Sequence, residues 1–297
     1  MSVFIEVVLP IISIFIIGYA LQKWKKLDVR SVSAVTIYVF IPALVFQTFL
    51  DAELNEDFRT IIIFCFLLLF FLILLNKLIA LIFKWDQSSE GGMILATAFM
   101  NAGNYGAPVV LFAFGEEAFV LAVIFMSIQT MIMNFFGVYY ASRGKSGVRF
   151  AIISVLKMPA TYAMIIALSM QFLNVGVHPT VMEMVDFLAA VAIPLMMIVL
   201  GMQLANISFK EFEIGHVAYG TVVRLIVSPL AAWLLVTWMD VDQLLGNVII
   251  LLSAMPAAAT TTMFALEFRA RPDLVSSITL VTTVLSVVTV SVLLMIL

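Results

Sequence analysis

The sequence predicts an all-α integral membrane protein. It would have ten transmembrane helices arranged as two inverted five-helix repeats, with helices four and nine broken where they cross. Three observations lead there. Of 297 residues, 64% are hydrophobic and only 11% charged, with a mean hydropathy of +1.19, whereas soluble domains carry about 25% charged residues. The apolar runs are as long as membrane-spanning helices, not short and alternating like barrel strands. One of those runs contains Asn101-Ala-Gly-Asn-Tyr-Gly-Ala-Pro108, a stretch unsuited to a continuous helix.

Taken in order, the spans fall near residues 3–22, 33–50, 60–83, 91–112, 117–141, 152–173, 181–205, 214–238, 245–267 and 274–296. The first lacks a basic leader region, so it is expected to be a retained span and not a cleaved signal peptide. Every loop is short, and the whole chain, 1–297, reads as one membrane unit. Cys65 is the single cysteine and lies in an apolar run, so neither a disulfide framework nor a cysteine metal site is expected.

Lys and Arg set the orientation. The loops at 23–30, 77–84, 143–157, around 210 and at 269–271 hold thirteen of the 15 basic residues. Loops on the other side hold only Arg59, and Arg224 lies inside a span. Both termini are therefore expected outside a plasma (inner) membrane, together with the acidic loops 51–57 and 240–242. Lys23, Lys25 and Lys26 would sit beside anionic lipid.

Ten spans divide into residues 1–146 and 147–297. Five spans per half makes the topology of any repeat inverted. Ile41-Pro42 in span two and Ile193-Pro194 in span seven share an offset of 152 residues. The same offset carries Asn104 onto Pro256, within Pro256-Ala-Ala-Ala-Thr260-Thr261-Thr262 of span nine.

Pro108 removes a backbone donor, and Gly103 and Gly106 lower helix propensity. Non-helical backbone at membrane depth persists only where protein or a watery cavity surrounds it. Two broken helices would bring two positive helix N-termini to the midplane, favouring a small anion. Asn101, Asn104, Thr260 and Thr261 would supply hydrogen bonds, and Tyr105 an aromatic wall. Arg224, about ten residues into span eight, costs roughly 2.5–3.5 kcal/mol to insert and needs a reason. It either grips a substrate carboxylate bidentately or binds free carbonyls at a helix break. Gln129 and Asn134 either line a cavity or ion site or join helices. Gln47 and Gln203 are candidates to face substrate from spans two and seven. Glu6, Glu183 and Asp186 read as outer-interface residues, with proton coupling a minor alternative for Asp186. His178 and His216 have no ligand-spaced neighbours, so no metal is expected. Gly18 and Gly201 would permit close helix contact, and the 18 Met would fill irregular gaps.

The Asn101–Pro108 stretch resembles the fourth-span signature of the auxin efflux carrier family. The five-plus-five layout, the Ile-Pro pairs and Arg224-Leu-Ile-Val-Ser-Pro229 are also similar to that family. No long central loop is present, so the chain resembles a compact prokaryotic member. The resemblance implies a fold akin to sodium–bile acid symporters. A scaffold would be built from spans one, two, six and seven, and a transport domain from spans three to five and eight to ten. It also implies a homodimer and an organic anion substrate, either an auxin-like weak acid or a malate- or malonate-type acid. No Asp or Glu falls near the midplane of the transport spans, which departs from a classical acidic sodium or proton site.

The expected function is a secondary carrier of small organic anions that works by alternating access, with no cofactor and no nucleic-acid partner. The alternatives are a sodium-coupled symporter of a larger amphipathic anion and a channel. No Gly-x-x-x-x-Gly-Lys phosphate loop occurs, which excludes ATP-driven transport by this chain alone. No in-membrane Ser–His or paired-Asp set supports an enzyme.

Overall fold

The computed structural model describes residues 7–52, 56–142, 147–206 and 213–297. Glu6, Glu53, Arg143, Lys145 and Lys210 lie outside the described residues. Every described element is helical, and one isolated β-bridge is the only extended pairing among them. The helices are α1 Leu9–Lys25, α2 Val29–Val35, α3 Ile41–Asp51, α4 Glu56–Phe83, α5 Gln87–Ala98, α6 Ala107–Ile132, α7 Val138–Ala141, α8 Gly147–Leu156, α9 Pro159–Phe172, α10 Pro179–Ala205, α11 Ile214–Val222, α12 Ser228–Met239, α13 Gln243–Ser253, α14 Ala259–Phe268 and α15 Pro272–Leu294. Three π-helical turns, Thr36–Phe40, Met133–Gly137 and Val223–Val227, join neighbouring helices into longer rods, and a fourth, Ala102–Gly106, leads into α6.

Among the described residues, six stretches are long and apolar enough to cross a bilayer: Val29–Leu50, Glu56–Phe83, Ala102–Ala141, Pro179–Ala205, Ile214–Met239 and Pro272–Leu294. Large apolar side chains such as Leu81, Phe172 and Trp238 face outward. A soluble monomer would not leave so many exposed, so these surfaces suit lipid. The protein is thus a multi-pass helical membrane protein.

Two details differ from the sequence reading. The stretch expected as one span at 152–173 is divided. Helix α8 ends at Leu156, Met158 is extended (φ −84°, ψ 118°), and Pro159 starts α9. A residue before proline is pushed out of helical geometry, and proline is well placed at a first turn. The gap expected between spans 91–112 and 117–141 is present, since Ala102–Ala141 breaks at Gly115 (φ +82°, ψ −170°), which separates two legs. That backbone conformation is open to glycine. Finally, the non-helical residues near Asn101–Pro108 come at its beginning. Phe99 is extended (φ −118°, ψ 113°) and Asn101 leaves helical geometry (φ −80°, ψ 63°). Pro108 follows the π turn in a rod that is already helical from Ala102, and its ring and missing N–H open that turn.

Helix α10 packs on α1 and α3, and α3 on α9; α4, α5 and α11–α15 pack mainly with one another. The α1–α10 contact is set by two glycines. A Cβ on Gly18 would lie 2.2 Å from the Ile198 carbonyl oxygen, and one on Gly201 would lie 2.1 Å from the Phe15 carbonyl oxygen. The two backbones touch reciprocally, as small residues allow in membranes.

Gly201→Val is therefore expected to force α1 from α10 and destabilise the protein by about 1–3 kcal/mol, the range for overpacking. Gly215→Ala, with nothing within 4 Å of the added methyl, should not. Thermal unfolding in detergent compares them, and equal melting temperatures would contradict the packing argument.

Candidate functional site

The site is built on a meeting of two non-helical segments. After α5 the chain extends through Phe99–Asn101; after α13 it passes through Ala254–Ala258 before α14. Met100 and Ala257 form an antiparallel bridge. The Asn101 N–H donates to the Pro256 carbonyl at 2.8 Å, and the Ala258 N–H donates to the Phe99 carbonyl at 3.0 Å. Ala257 N–H donates to Thr282 Oγ1 at 3.2 Å. These bonds satisfy backbone groups that would otherwise be orphaned away from water.

Four helix ends surround this bridge, and they separate by polarity. The starts of the 102–106 turn and of α14 line a cavity of about 310 Å³, through Asn101, Ala102, Gly103, Asn104, Ala258 and Thr260. Gln129 and Asn134 line it from the rod that follows, and Gln203 from α10. The buried Asn101 Nδ2 and Gln129 Nε2 and the Gln203 Oε1 have no hydrogen-bond partner. Asn134 Nδ2 is already used, donating to the Thr130 carbonyl at 2.8 Å. Seven methionines form much of the remaining wall: Met100, Met126, Met131, Met133, Met158, Met196 and Met263. Arg30 is the one charged residue among the described lining, and no carboxylate joins it.

The opposite ends, the C-termini of α5 and α13, converge on Arg224. This side chain is wholly buried. Its Nη1 donates to the Thr97 carbonyl at 2.7 Å, and its Nη2 donates to the Ser253 carbonyl at 2.5 Å and to Ser228 Oγ. Ser228 Oγ donates in turn to the Ser253 carbonyl at 2.9 Å. Nε has no partner. Arg224 does not line the cavity, so of its two sequence-stated roles the geometry fits the binding of free carbonyls. Asn76 extends the network. Its Nδ2 donates to Thr97 Oγ1 at 2.8 Å, and its Oδ1 accepts from Tyr219 OH at 3.3 Å.

The remaining candidates lie around this core. Tyr105 is buried away from the cavity; its ring meets Phe15 edge-on at 5.1 Å, and its hydroxyl accepts from Ser286 at 3.3 Å. Gly106 permits close packing, since a Cβ there would lie 2.6 Å from Leu252 Cδ2. Pro108, Pro256 and Thr261 are absent from the cavity lining. Pro256 contributes its carbonyl to the bridge, and Thr261 Oγ1 donates to Ala258 O at 2.7 Å. Gln47 and Asp186 line a second cavity of about 450 Å³ with Glu116, and Gln47 Nε2 donates to Asp186 at 2.7 Å. The two cavities share no lining residue. Glu183 and His178 are exposed, and His216 Nδ1 pairs with Glu213 at 2.8 Å. Among the described residues no group of three His, Cys, Asp or Glu could hold a metal.

Arg30 and the methionine wall were not singled out by sequence reasoning. One signal was present: three of the four π turns end two residues before a proline, at Pro42, Pro108 and Pro229. A proline ring crowds the carbonyl one turn back and removes a donor, which opens that turn. Two of these turns, together with the proline-free turn at 133–137, supply cavity residues; the third carries Arg224.

A multi-pass helical protein with a cavity at a meeting of helix ends is built as membrane transporters commonly are. The comparisons make this specific. A family model described as membrane transport protein matches residues 3–149 and again 146–294. The chain belongs to this auxin efflux carrier-like family. An uncharacterized transporter of Methanothermobacter thermautotrophicus is 28% identical over 95% of both chains. Another, from Methanocaldococcus jannaschii, is 25% identical over 96% of both.

Tyr105→Phe removes one long hydrogen bond and should cost about 1 kcal/mol. Tyr105→Ala opens a buried void and should cost about 3–5 kcal/mol. Chemical denaturation in mixed micelles measures both, and equal costs would remove Tyr105 from the packed core.

Proposed function

We propose that the protein is a secondary carrier of small organic anions that works by alternating access at the cavity beside Asn101–Asn104 and Thr260. The unpartnered, buried amide nitrogens of Asn101 and Gln129, both lining one cavity, carry this reading. Buried donors without acceptors are costly, and a carboxylate would satisfy them. Two helix N-termini at the same cavity favour a negative charge. In this reading the chain forms ten spans in two inverted repeats, with 91–112 and 245–267 broken at the bridge. Helices α1, α3, α9 and α10 act as scaffold, and the helices around Arg224 move against them as an elevator. The protein sits in the plasma membrane as a homodimer with both termini outside. Arg30 and Met158 adjoin the basic loops, so the cavity faces the cytoplasm and the second cavity the exterior. The methionine wall supports acids with an apolar body within the substrate class, because thioether side chains adapt to irregular apolar shapes. Gly103 keeps space there, since a Cβ on it would meet Met126 Sδ at 3.0 Å.

Counterflow in proteoliposomes with a panel of mono- and dicarboxylates tests the proposal. Wild type should show saturable exchange. Asn101→Ala and Asn104→Ala should lower it by about tenfold or more, the effect of one or two lost hydrogen bonds to a charged group. Normal exchange in both variants would remove the site assignment, and non-saturable flux would favour a channel.

A further inference from the structure

We propose that the Arg224 guanidinium is a resident cation. It would occupy the carbonyl cluster at the two converging helix C-termini in place of an exchangeable metal ion, so the exchange proposed above needs no sodium. The inference rests on the carrier reading only for its transport measurement.

Each helix C-terminus carries about half a negative charge. Helices α5 and α13 bring two such ends together at Thr97 and Ser253. Away from water, such a concentration of carbonyl oxygen calls for a cation. In membrane carriers, unwound carbonyls and half-helix C-termini commonly bind sodium for this reason. Here the ligands are taken. Two nitrogens of one wholly buried side chain reach both carbonyls, and Ser228 braces the guanidinium and the Ser253 carbonyl together. The charge is balanced by backbone ends and not by an acid: among the described residues no carboxylate pairs with Arg224. A guanidinium is strongly directional, and as part of the chain this cation does not leave during a transport cycle. A planar fork with several fixed donors also suits two carbonyls on different helices better than a point charge does.

The test uses wild type, Arg224→Ala and Arg224→Lys. Wild-type exchange should be unchanged when choline replaces sodium. Arg224→Ala exposes the carbonyl cluster; its exchange should fall about tenfold or more, because a buried charge set has lost one partner. About 10 mM guanidinium or sodium should partly restore it, while choline should not, as mass action requires of a small ligand for an empty site. Arg224→Lys, which keeps the charge, should exchange in choline. The second readout is independent of transport: guanidinium or sodium should raise the melting temperature of Arg224→Ala in detergent and leave that of wild type unchanged. If Arg224→Ala is recovered folded only when extracted with one of these cations, the proposal is supported. Sodium-dependent wild-type exchange overturns it, as does normal exchange by Arg224→Ala in choline. So does an Arg224→Ala protein that no cation stabilises, reactivates or rescues. If wild type exchanges no acid, the carrier reading fails and the melting measurement still decides the role of Arg224.

Discussion

The structure depends on two backbone hydrogen bonds between Phe99–Asn101 and Pro256–Ala258. A helix within a membrane satisfies its own peptide groups, so leaving helical geometry there strands donors and acceptors at several kcal/mol each. One stranded segment cannot repair itself. Two that meet antiparallel can, and Met100 and Ala257 do so. The flanking sequence is shaped to that contact. Gly106 lets the following turn lie against Leu252 and Met255, and Thr282 takes the remaining Ala257 N–H.

That meeting sorts the helix ends by charge. N-termini border the cavity and C-termini border Arg224. The meeting therefore has one side where two positive helix ends gather and one where two negative ends require a cation. Arginine meets the second requirement within the chain. Burying a guanidinium costs several kcal/mol, and three oxygen acceptors with two helix dipoles offset that cost. Asn76 and Tyr219 extend the same polar contacts to α4 and α11, so these helices share one hydrogen-bonded core and not merely apolar packing.

Much of this was legible in the sequence. Composition alone gives a helical membrane protein, because 11% charged residues cannot cover a soluble surface. Asn101, Gly103, Asn104, Gln129, Asn134 and Thr260 were picked as polar or small residues in apolar runs, and all six line one cavity. Gly18 and Gly201 were picked for size, and their backbones touch partner carbonyls. What periodicity could not give is direction. Tyr105 is one residue from Asn104, yet it points into the core against Phe15. Arg224 could have faced either a cavity or a carbonyl pair, and only tertiary packing chooses. Pro108 reads as a breaker, but it lies inside the rod that starts at Ala102, where its ring and missing N–H open the π turn before it without ending the helix. The extended residues come earlier, at Phe99–Asn101, where no proline or glycine marks them. Arg30 reads as one more topology charge, and its place at the cavity follows from how α2 lies against the rest.

The charge arrangement also constrains what the cavity can hold on the carrier reading. Two N-terminal half-charges sum to about one positive charge. Arg224 adds little to this, since the two C-termini beside it contribute an opposite charge of about the same size. One negative charge at Asn101 and Gln129 would then be nearly neutralised without any acidic or basic side chain in the buried part of the cavity. A second negative charge would find only Arg30, which is exposed to solvent, where screening weakens its pull. The walls beyond the amides are largely methionine, which offers a carboxylate no hydrogen-bond donor. An acid with one charged end and an apolar body meets both regions on favourable terms. A compact dicarboxylate satisfies the amides with one end and leaves the other against thioethers, where desolvation is uncompensated. The order of affinity between these two acid types is thus set by how far the second charge must sit from Arg30.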